Sequence, residues 1–128
     1  MTAEELIAEA RAAAQNAYAP YSNFRVGAVV VDADGNHYTG ANVENSAYGA
    51  TICAEGSAIS HAVSCGARRL DTVAVSCLDA DGADGGYPCG NCRQLMMEFG
   101  VRRVIVDTVD GPREHTLEEL LPFGFKFD

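Results

Sequence analysis

The N-terminal segment carries apolar residues at helical spacing. These positions are Leu6, Ile7, Ala10, Ala13, Ala14 and Ala17. Thr2 and Glu5 match a capping box, in which each residue's side chain accepts a hydrogen bond from the other's backbone. Pro20 excludes a longer helix, because proline lacks an N–H group and restricts the residue before it. We therefore predict a first helix that ends near Ala17 or Tyr18.

The next segment has the pattern of a β-hairpin. Residues 25–31 are rich in β-branched side chains and lack helical spacing, which favours a strand. Asp34-Gly35 is a strong hairpin turn signal, and residues 37–42 form the predicted return strand. We expect these two strands to pair antiparallel and to be followed by a loop over residues 42–51.

The second half of the chain alternates helical and strand patterns. The predicted elements are a helix over 53–65 that ends at Gly66, a strand over 72–78, a helix over 89–99 that ends at Gly100, a strand over 101–106, a turn at 110–112, and a short helix capped by Thr116 and Glu119 that ends at Leu121. Such alternation implies right-handed crossovers and parallel strand pairing. We predict an α/β fold: a single-domain three-layer α/β/α sandwich with a mixed sheet, over residues 1–128.

Composition and charge narrow the class of protein. The chain has 128 residues, of which 48% are apolar and 21% charged, an ordinary balance for a soluble domain. Its formal net charge of −9 disfavours contact with phosphate backbones, so we expect no nucleic-acid partner. No apolar run approaches the roughly 20 residues of a membrane span, and the N-terminal sequence does not resemble a secretion leader. We expect a cytoplasmic protein without membrane contact.

Five cysteines provide the strongest chemical signal. Their odd number and the lack of a leader argue against a disulfide framework. Cys65 and Cys77 fit small apolar side chains. Cys89 and Cys92 are two residues apart at one predicted helix start, and Cys53 begins another predicted helix. Because sites in α/β folds form where strands end and helices begin, these three sulfurs are candidates for one metal site.

The number of ligands favours a catalytic zinc ion. Structural zinc sites use four protein ligands, whereas catalytic sites use three and leave one position for water. His37, His61 and His115 lie far in sequence from both cysteine motifs, and no fourth ligand has a matching spacing. Three thiolates with an open position therefore predict one zinc ion per chain.

Glu55 follows Cys53 by two residues, on the same first helical turn. A carboxylate there is close to the metal without being a ligand, so it can accept a proton from water and deliver it to a leaving group. An acidic residue at a helix start also stabilises the helix through the macrodipole, and this simpler explanation would suffice for Glu55 alone. Beside three cysteines, we interpret Glu55 as a general acid and base.

Five segments, in chain order, form a specific combination. They are residues 17–28, Asn42-Val43-Glu44-Asn45, Cys53-Ala54-Glu55, residues 88–94 (Pro-Cys-Gly-Asn-Cys-Arg-Gln) and Glu119-Leu120-Leu121-Pro122. Together they resemble the homotetrameric zinc-dependent cytidine deaminases over nearly the whole chain. The resemblance implies hydrolytic deamination of cytidine and 2′-deoxycytidine to uridine and 2′-deoxyuridine with release of ammonia, a step of pyrimidine salvage. It also implies a homotetramer whose subunits share their sites.

The resemblance also implies roles for single residues. Cys53, Cys89 and Cys92 would bind zinc, hydroxide would attack C4 of the pyrimidine, and Glu55 would protonate N3 and then the departing ammonia. The implied substrate contacts are Phe24 against the base, Asn42 and Glu44 at the ribose 3′-hydroxyl, the backbone of Ala54 and Cys89 at the pyrimidine edge, and Tyr48 and Phe125 from neighbouring subunits. Three of these residues, seen alone, have simpler explanations: Phe24 as a core aromatic, Asn42 as a turn residue and Glu44 as a solvated loop carboxylate.

Gly56 departs from the family pattern, which places an arginine after Cys-Ala-Glu. That arginine is thought to donate hydrogen bonds to the zinc thiolates, so its loss leaves the site more negative and weakens water activation. We expect Arg93 and the helix N-termini to supply part of the charge compensation. The loop over residues 79–87 contains three aspartates but lacks the length and glutamate of an EF-hand, so we predict a flexible rim there and no calcium site.

Other functions stay open at this point. A deaminase of another aminopyrimidine nucleoside, such as blasticidin S, shares the zinc motif but is less similar at residues 21–27 and 42–44. A non-catalytic module, either a structural zinc site or a thiol redox centre, is a second alternative; a redox Cys-x-x-Cys motif requires neither a third cysteine nor a glutamate beside it. A nucleic-acid base editor requires a positive groove for the strand, which the net charge of −9 disfavours.

Overall fold

A five-stranded sheet organises the chain, which the computed structural model describes over residues 1–80 and 86–127. The elements, in chain order, are α1 (Ala3–Ala14), β1 (Val26–Asp32), β2 (His37–Ala41), a 3₁₀ turn (Tyr48–Ala50), α2 (Ala54–Ser64), β3 (Leu70–Cys77), α3 (Gly90–Glu98), β4 (Arg103–Thr108), β5 (Gly111–Thr116) and α4 (Leu117–Leu120). The central part of the predicted rim loop, residues 81–85, lies outside the described residues.

The strand order across the sheet is β2-β1-β3-β4-β5. β1 is antiparallel to both β2 and β3, β3 is parallel to β4, and β4 is antiparallel to β5. The predicted hairpin, the parallel pairing and the mixed sheet are therefore confirmed. Val26 pairs with Cys77, and the next residue, Gly27, pairs with Ala41. The start of β1 and the carboxyl ends of β2 and β3 consequently meet at one end of the sheet.

Helices cover both faces of the sheet, which confirms the three-layer sandwich. The buried core on the α1 face consists of Leu6, Ile7, Ala10, Val29, Ala74 and Ile105. The larger core on the other face joins α2 and α3 to alternate strand positions, among them Val30, Val73, Val75, Val104 and Val106. The alternation follows from the two-residue period of strands. Among the helices of the described ranges, none is long and apolar enough to span a membrane.

Two glycines set how closely the helices approach the sheet. A Cβ atom at Gly27 would lie 2.0 Å from the carbonyl oxygen of Ala10 in α1. A Cβ atom at Gly40 would lie 2.4 Å from the backbone nitrogen of Ala58 in α2. Since both contacts are with backbone atoms, a larger side chain at either position would displace a helix. Gly40 thereby fixes the distance of α2 from the sheet.

β5 is absent from the sequence-based prediction, which places only a turn at residues 110–112. The strand is an antiparallel edge strand whose residues are exposed or half-buried. Pro112 is accommodated because an edge strand tolerates a residue without an N–H group. A mostly polar strand with a proline gives no apolar alternation, and this explains the omission.

α1 is shorter than the predicted helix and ends at Ala14. Beyond it, the backbone N–H groups of Gln15, Asn16 and Ala17 bond to carbonyls three residues back. Tyr18 then donates its N–H to the carbonyl of Asn42. The chain leaves the helix early because Tyr18 pairs with the segment that follows β2, which no local pattern indicates.

Candidate active site

The two cysteine motifs lie at the N-termini of α2 and α3. Cys53 and Cys89 are the N-cap residues of these helices, with extended backbone conformations, and neither side chain caps its helix by a hydrogen bond. Cys92 lies one turn into α3 and is fully buried. The sulfur atoms are therefore not engaged by the helix backbone and can face a common point.

The three Sγ atoms of Cys53, Cys89 and Cys92 lie within 4.8 Å of one another. Ligands of a tetrahedral zinc ion at a Zn–S distance of about 2.3 Å stand about 3.8 Å apart. Three thiols at the observed spacing fit one such ion after only a small contraction. This cluster is the metal-ligand group found among the described residues, and it unites the three cysteines that the sequence indicates.

The sulfur atoms influence each other's ionisation. A hydrogen bond from the Cys92 thiol lowers the pKa of Cys53 to about 6, and the same contact raises the pKa of Cys92. Cys53 is thus a thiolate near neutral pH before any cation is present. Thiolates are the form that binds zinc, and a coordinated thiol loses its proton outright.

Glu55 lies in the first turn of α2 and is only 5% exposed. Burial raises the pKa of its carboxyl group to about 7, and the nearby charge of Cys53 adds to that increase. Both effects outweigh the hydrogen bonds that favour the ionised form. A carboxyl group that gains and loses a proton near neutral pH is suited to general acid and base catalysis.

A cavity of about 190 Å³ opens beside the sulfur cluster. Its walls are formed by Val26, Asn42, Thr51, Cys53, Ala54, Glu55, Gly86, Tyr87 and Cys89. A second cavity of about 380 Å³, lined by Tyr21, Ser22, Glu44, Tyr48 and Thr51, shares Thr51 with the first. Sites for small molecules usually occupy about 300–1,000 Å³. The second cavity lies within this range, and the first is smaller.

Asn42 is buried at the end of β2 and connects two parts of the wall. Its Oδ1 accepts a hydrogen bond of 2.9 Å from the N–H of Val26, and its Nδ2 donates one of 2.9 Å to the carbonyl of Phe24. An amide side chain can accept two and donate two hydrogen bonds, so Asn42 retains one acceptor and one donor position.

Glu44 anchors the turn before β1. Its Oε1 accepts hydrogen bonds from the N–H groups of Tyr21 (2.9 Å) and Ser22 (3.1 Å), and its Oε2 accepts one from the Ser22 hydroxyl. The Ser22 hydroxyl lowers the pKa of Glu44, and the two N–H groups contribute in the same direction. The carboxylate is therefore ionised at neutral pH and retains acceptor capacity on Oε2.

The aromatic residues of the sequence prediction are exposed within the single chain. Phe24 is 51% exposed, Tyr48 75% and Phe125 65%. Tyr48 lines the second cavity and contacts the ring of Tyr21 edge-on. Phe125 lies in the C-terminal tail, where its carbonyl accepts a hydrogen bond from Gln94 of α3. The structure thus brings Tyr48 to the cavities and leaves the rings of Phe24 and Phe125 open.

Arg93 and Gly56 bear on the charge near the sulfurs. The guanidinium of Arg93 donates hydrogen bonds to the carbonyls of Pro88 (2.8 Å) and Leu120 (2.7 Å). These are backbone acceptors, so compensation of the thiolates by Arg93 stays a prediction. Gly56 is buried, but a Cβ atom there would meet only the Leu95 side chain at 3.5 Å. No close approach within the chain requires a glycine at this position.

The structure adds two residues that the sequence did not indicate. Tyr87 lines the first cavity, and its hydroxyl lies 2.7 Å from Nε2 of His115. His115, which stands alone in the sequence, is therefore in contact with the wall of the site. Tyr87 and His115 are 28 positions apart in the sequence, and no local pattern indicates their contact, because it depends on the unpredicted strand β5.

Comparison with known proteins agrees with this geometry. The family model described as "cytidine and deoxycytidylate deaminase zinc-binding region" matches residues 1–108. A cytidine deaminase of Sporosarcina psychrophila is 44% identical, over 98% of this chain and 92% of the relative. A cytidine deaminase of Mycobacterium tuberculosis is 43% identical, over 91% of this chain and 84% of the relative.

Solved structures extend the likeness to the fold. The crystal structure of a cytidine deaminase from Burkholderia pseudomallei superposes with a TM-score of 0.86 at 41% identity, over 98% of this chain and 100% of that one. A cytidine deaminase from Bacillus anthracis has a TM-score of 0.71 at 15% identity, which shows a shared fold. From its sulfur cluster, its fold and these relatives together, we conclude that the chain belongs to the cytidine and deoxycytidylate deaminase family of zinc enzymes.

Proposed function

We propose that this protein catalyses the zinc-dependent hydrolytic deamination of cytidine and 2′-deoxycytidine to uridine and 2′-deoxyuridine with release of ammonia, as a step of pyrimidine salvage. One observation carries the proposal: the three cysteine sulfurs and the buried Glu55 border the same cavity or lie directly behind it. The relatives named cytidine deaminase support the choice of nucleoside.

Cys53, Cys89 and Cys92 would bind one zinc ion, which supplies a Lewis acid and activates a water molecule for attack on C4. Glu55 accepts a proton from the attacking water and delivers it to N3 of the pyrimidine. It then transfers the second water proton to the exocyclic nitrogen as the C4–N bond breaks. Water and cytidine are thereby converted to uridine and ammonia with no net change in the protonation of Glu55. Its pKa of about 7 suits both transfers.

The two neighbouring cavities, which share Thr51 as a lining residue, would take the two halves of a nucleoside. The base occupies the smaller cavity, where the unpaired N–H groups at the start of α2, including that of Ala54, face its pyrimidine edge. The backbone of Cys89 borders the same space. The ribose would occupy the larger cavity, where Oε2 of Glu44 would bind the 3′-hydroxyl. Asn42, in the wall of the smaller cavity, would bind the same hydroxyl with its remaining hydrogen-bond positions. We further propose that Phe24, whose carbonyl accepts a hydrogen bond from Asn42, would pack against the base.

We further propose a cytoplasmic homotetramer with shared sites. The exposed rings of Tyr48 and Phe125 would complete a neighbouring subunit's site, because large exposed apolar groups are typical of association surfaces. All five cysteines are free thiols, as expected in a reducing compartment. Light scattering after size exclusion would give a mass near four times 13.5 kDa, whereas a monomeric active enzyme would contradict the shared sites.

The decisive experiment is a nucleoside panel followed by ultraviolet absorbance and ammonia release. The zinc-loaded protein should convert cytidine and 2′-deoxycytidine faster than blasticidin S, and a strong zinc chelator should abolish turnover. Glu55→Gln, which keeps the size of the side chain, should retain zinc and lose about 100- to 10,000-fold in kcat, the range that general acid–base groups contribute. Preferred turnover of blasticidin S would contradict the substrate, and a fully active Glu55→Gln variant would contradict the mechanism.

A further inference from the structure

A chain of polar contacts leads from Tyr87 in the wall of the first cavity, through His115 of β5, to Glu119 of α4. The Tyr87 hydroxyl lies 2.7 Å from Nε2 of His115, and the two rings pack with their centroids 5.3 Å apart. Nδ1 of His115 lies 3.5 Å from the Glu119 carboxylate. Glu119 also accepts hydrogen bonds from Thr116 in the capping box of α4. Both ring nitrogens of His115 therefore have partners.

Pro88, which follows Tyr87, is also connected to α4, in this case through Arg93. Arg93 donates one hydrogen bond to the carbonyl of Pro88 and another to the carbonyl of Leu120, the last residue of α4. The segment that leads into Cys89 is thus connected to α4 by two independent contacts. On the other side of Tyr87, residues 81–85 lie outside the described chain.

We propose that His115 is a positioning residue of the active site, acting through Tyr87. It fixes the tyrosine ring as a wall of the nucleoside pocket and orders the backbone that presents Cys89 to the metal. This inference rests on the proposed function for its substrate, but its effect on the metal does not.

The hydrogen bond to His115 restricts the conformational freedom of the Tyr87 ring. The hydroxyl of Tyr87 is paired with His115, whose side chain is only 19% exposed. Without the hydrogen bond, the ring samples further orientations, and substrate binding must restrict them again. Tyr87 does not touch the carbon under attack in this arrangement. Loss of the hydrogen bond should therefore weaken substrate binding and change the rate of the chemical step only slightly.

Steady-state kinetics on cytidine test the proposal. Tyr87→Phe and His115→Ala should each raise KM about threefold to tenfold with kcat within about twofold, the range expected for one hydrogen bond. The double variant should be no worse than the more affected single variant, because both changes break the same bond. His115→Gln should recover at least half of the loss, since an amide can still bond to the tyrosine hydroxyl.

His61→Ala serves as the matched control. Its ring also has one hydrogen bond, to the carbonyl of Thr39, but it is exposed on α2 away from the cavities. KM should stay at the wild-type value in this variant. Unchanged KM in both Tyr87→Phe and His115→Ala, or fully additive effects in the double variant, would overturn the proposal.

Zinc release gives a readout that is independent of turnover. A colorimetric chelator mixed with zinc-loaded protein should take up the metal several times faster from Tyr87→Phe and from His115→Ala than from the wild type. The melting temperature of the metal-free proteins should differ by no more than a few degrees, which separates local loosening from unfolding. Equal release rates in the three proteins would contradict the ordering of Cys89. If the wild type fails to deaminate cytidine, the proposed function fails, while the release rates still decide the role of His115.

Discussion

Glu55 lines the first cavity and Glu44 the second, and their carboxyl groups ionise differently because their neighbours differ. Glu55 is buried and lies near the Cys53 sulfur, so its pKa rises to about 7. Glu44 accepts hydrogen bonds from Ser22 and Tyr21, so its pKa is lowered. A pair of acids with opposite shifts is a common arrangement for one proton-transfer group and one binding group. The environment, and not the residue type, separates the two roles.

The sequence predicted the residues whose spacing carries chemistry. Cys89 and Cys92 are separated by two residues at a helix start, and Cys53 and Glu55 share one helical turn, so their convergence follows from local geometry. The contact between Tyr87 and His115 was not predictable, because it depends on how a distant strand folds back. The hydrogen-bond partners of Asn42 and Glu44 were not predicted for the same reason.

A charge prediction concerns Gly56. The cluster of three thiols and one buried carboxyl has no arginine hydrogen-bonded to it among the contacts of the described residues. Gly56→Arg would add a positive group in the first turn of α2, with only the Leu95 side chain against its Cβ. Because a nearby cation favours deprotonated forms, the acidic limb of the pH profile of kcat/KM should shift down by up to about one pH unit. Gly56→Ala is the neutral control, and identical profiles for all three proteins would contradict this explanation.

At the scale of elements, the site depends on where α2 and α3 begin. Both helices start at the end of the sheet where β1 begins and β2 and β3 terminate. α2 reaches this position because Gly40 of β2 allows the helix backbone close to the strand. The distance between α2 and the sheet therefore determines the positions of Cys53 and Glu55.

Gly40→Ala tests this dependence. The added methyl group would lie 2.4 Å from the nitrogen of Ala58, so α2 must shift. We expect a loss of about 1–3 kcal/mol in the free energy of unfolding, as in other overpacked cores, together with weaker zinc retention. Urea unfolding and zinc titration measure the two effects. Gly49→Ala, where a Cβ meets nothing within 4 Å, should show neither, and a Gly40→Ala variant of wild-type stability and zinc affinity would contradict the prediction.

The elements also show what local patterns can and cannot predict. Apolar strands such as β3 and β4 and the capped helices were predicted within about three residues, because burial leaves a strong periodic signal. The edge strand β5 was missed because half of its surface faces solvent and its residues are polar. The early end of α1 was missed because Tyr18 pairs with a segment 24 residues further on.

At the scale of the whole molecule, the ion pair between Arg11 and Asp107 connects α1 to the sheet. Arg11 of α1 donates two hydrogen bonds of 2.7 Å to Asp107 of β4, and Ser76 of β3 donates a third of 2.6 Å. Burial raises the pKa of Asp107, but the hydrogen bonds from Arg11 and Ser76 outweigh it, so the net pKa is lowered. α1, on the face of the sheet opposite α2 and α3, is thus attached to the parallel strands β3 and β4.

Asp107→Asn should reduce the free energy of unfolding by about 1–2 kcal/mol at pH 7, since a charge-assisted contact is lost while Arg11 stays half exposed. A lowered folded-state pKa stabilises the protein above the unfolded-state value of about 3.9 and loses that effect as pH falls through the folded-state value. The difference between wild type and variant should therefore shrink below about pH 4. Urea unfolding between pH 3 and 8 measures it, with the exposed Asp110→Asn as control. A difference that is constant with pH would contradict the ion-pair explanation.

The content of zinc per chain tests the central claim most directly. Atomic emission on protein purified without chelators should give about one zinc per chain for the wild type and for Glu55→Gln, because Glu55 is not a ligand. Cys92→Ala, which removes the buried thiol of the cluster, should bind well under half of that amount. A wild-type protein that is fully active without metal, or a Cys92→Ala variant that retains its zinc, would contradict the convergence of the three cysteines on one ion.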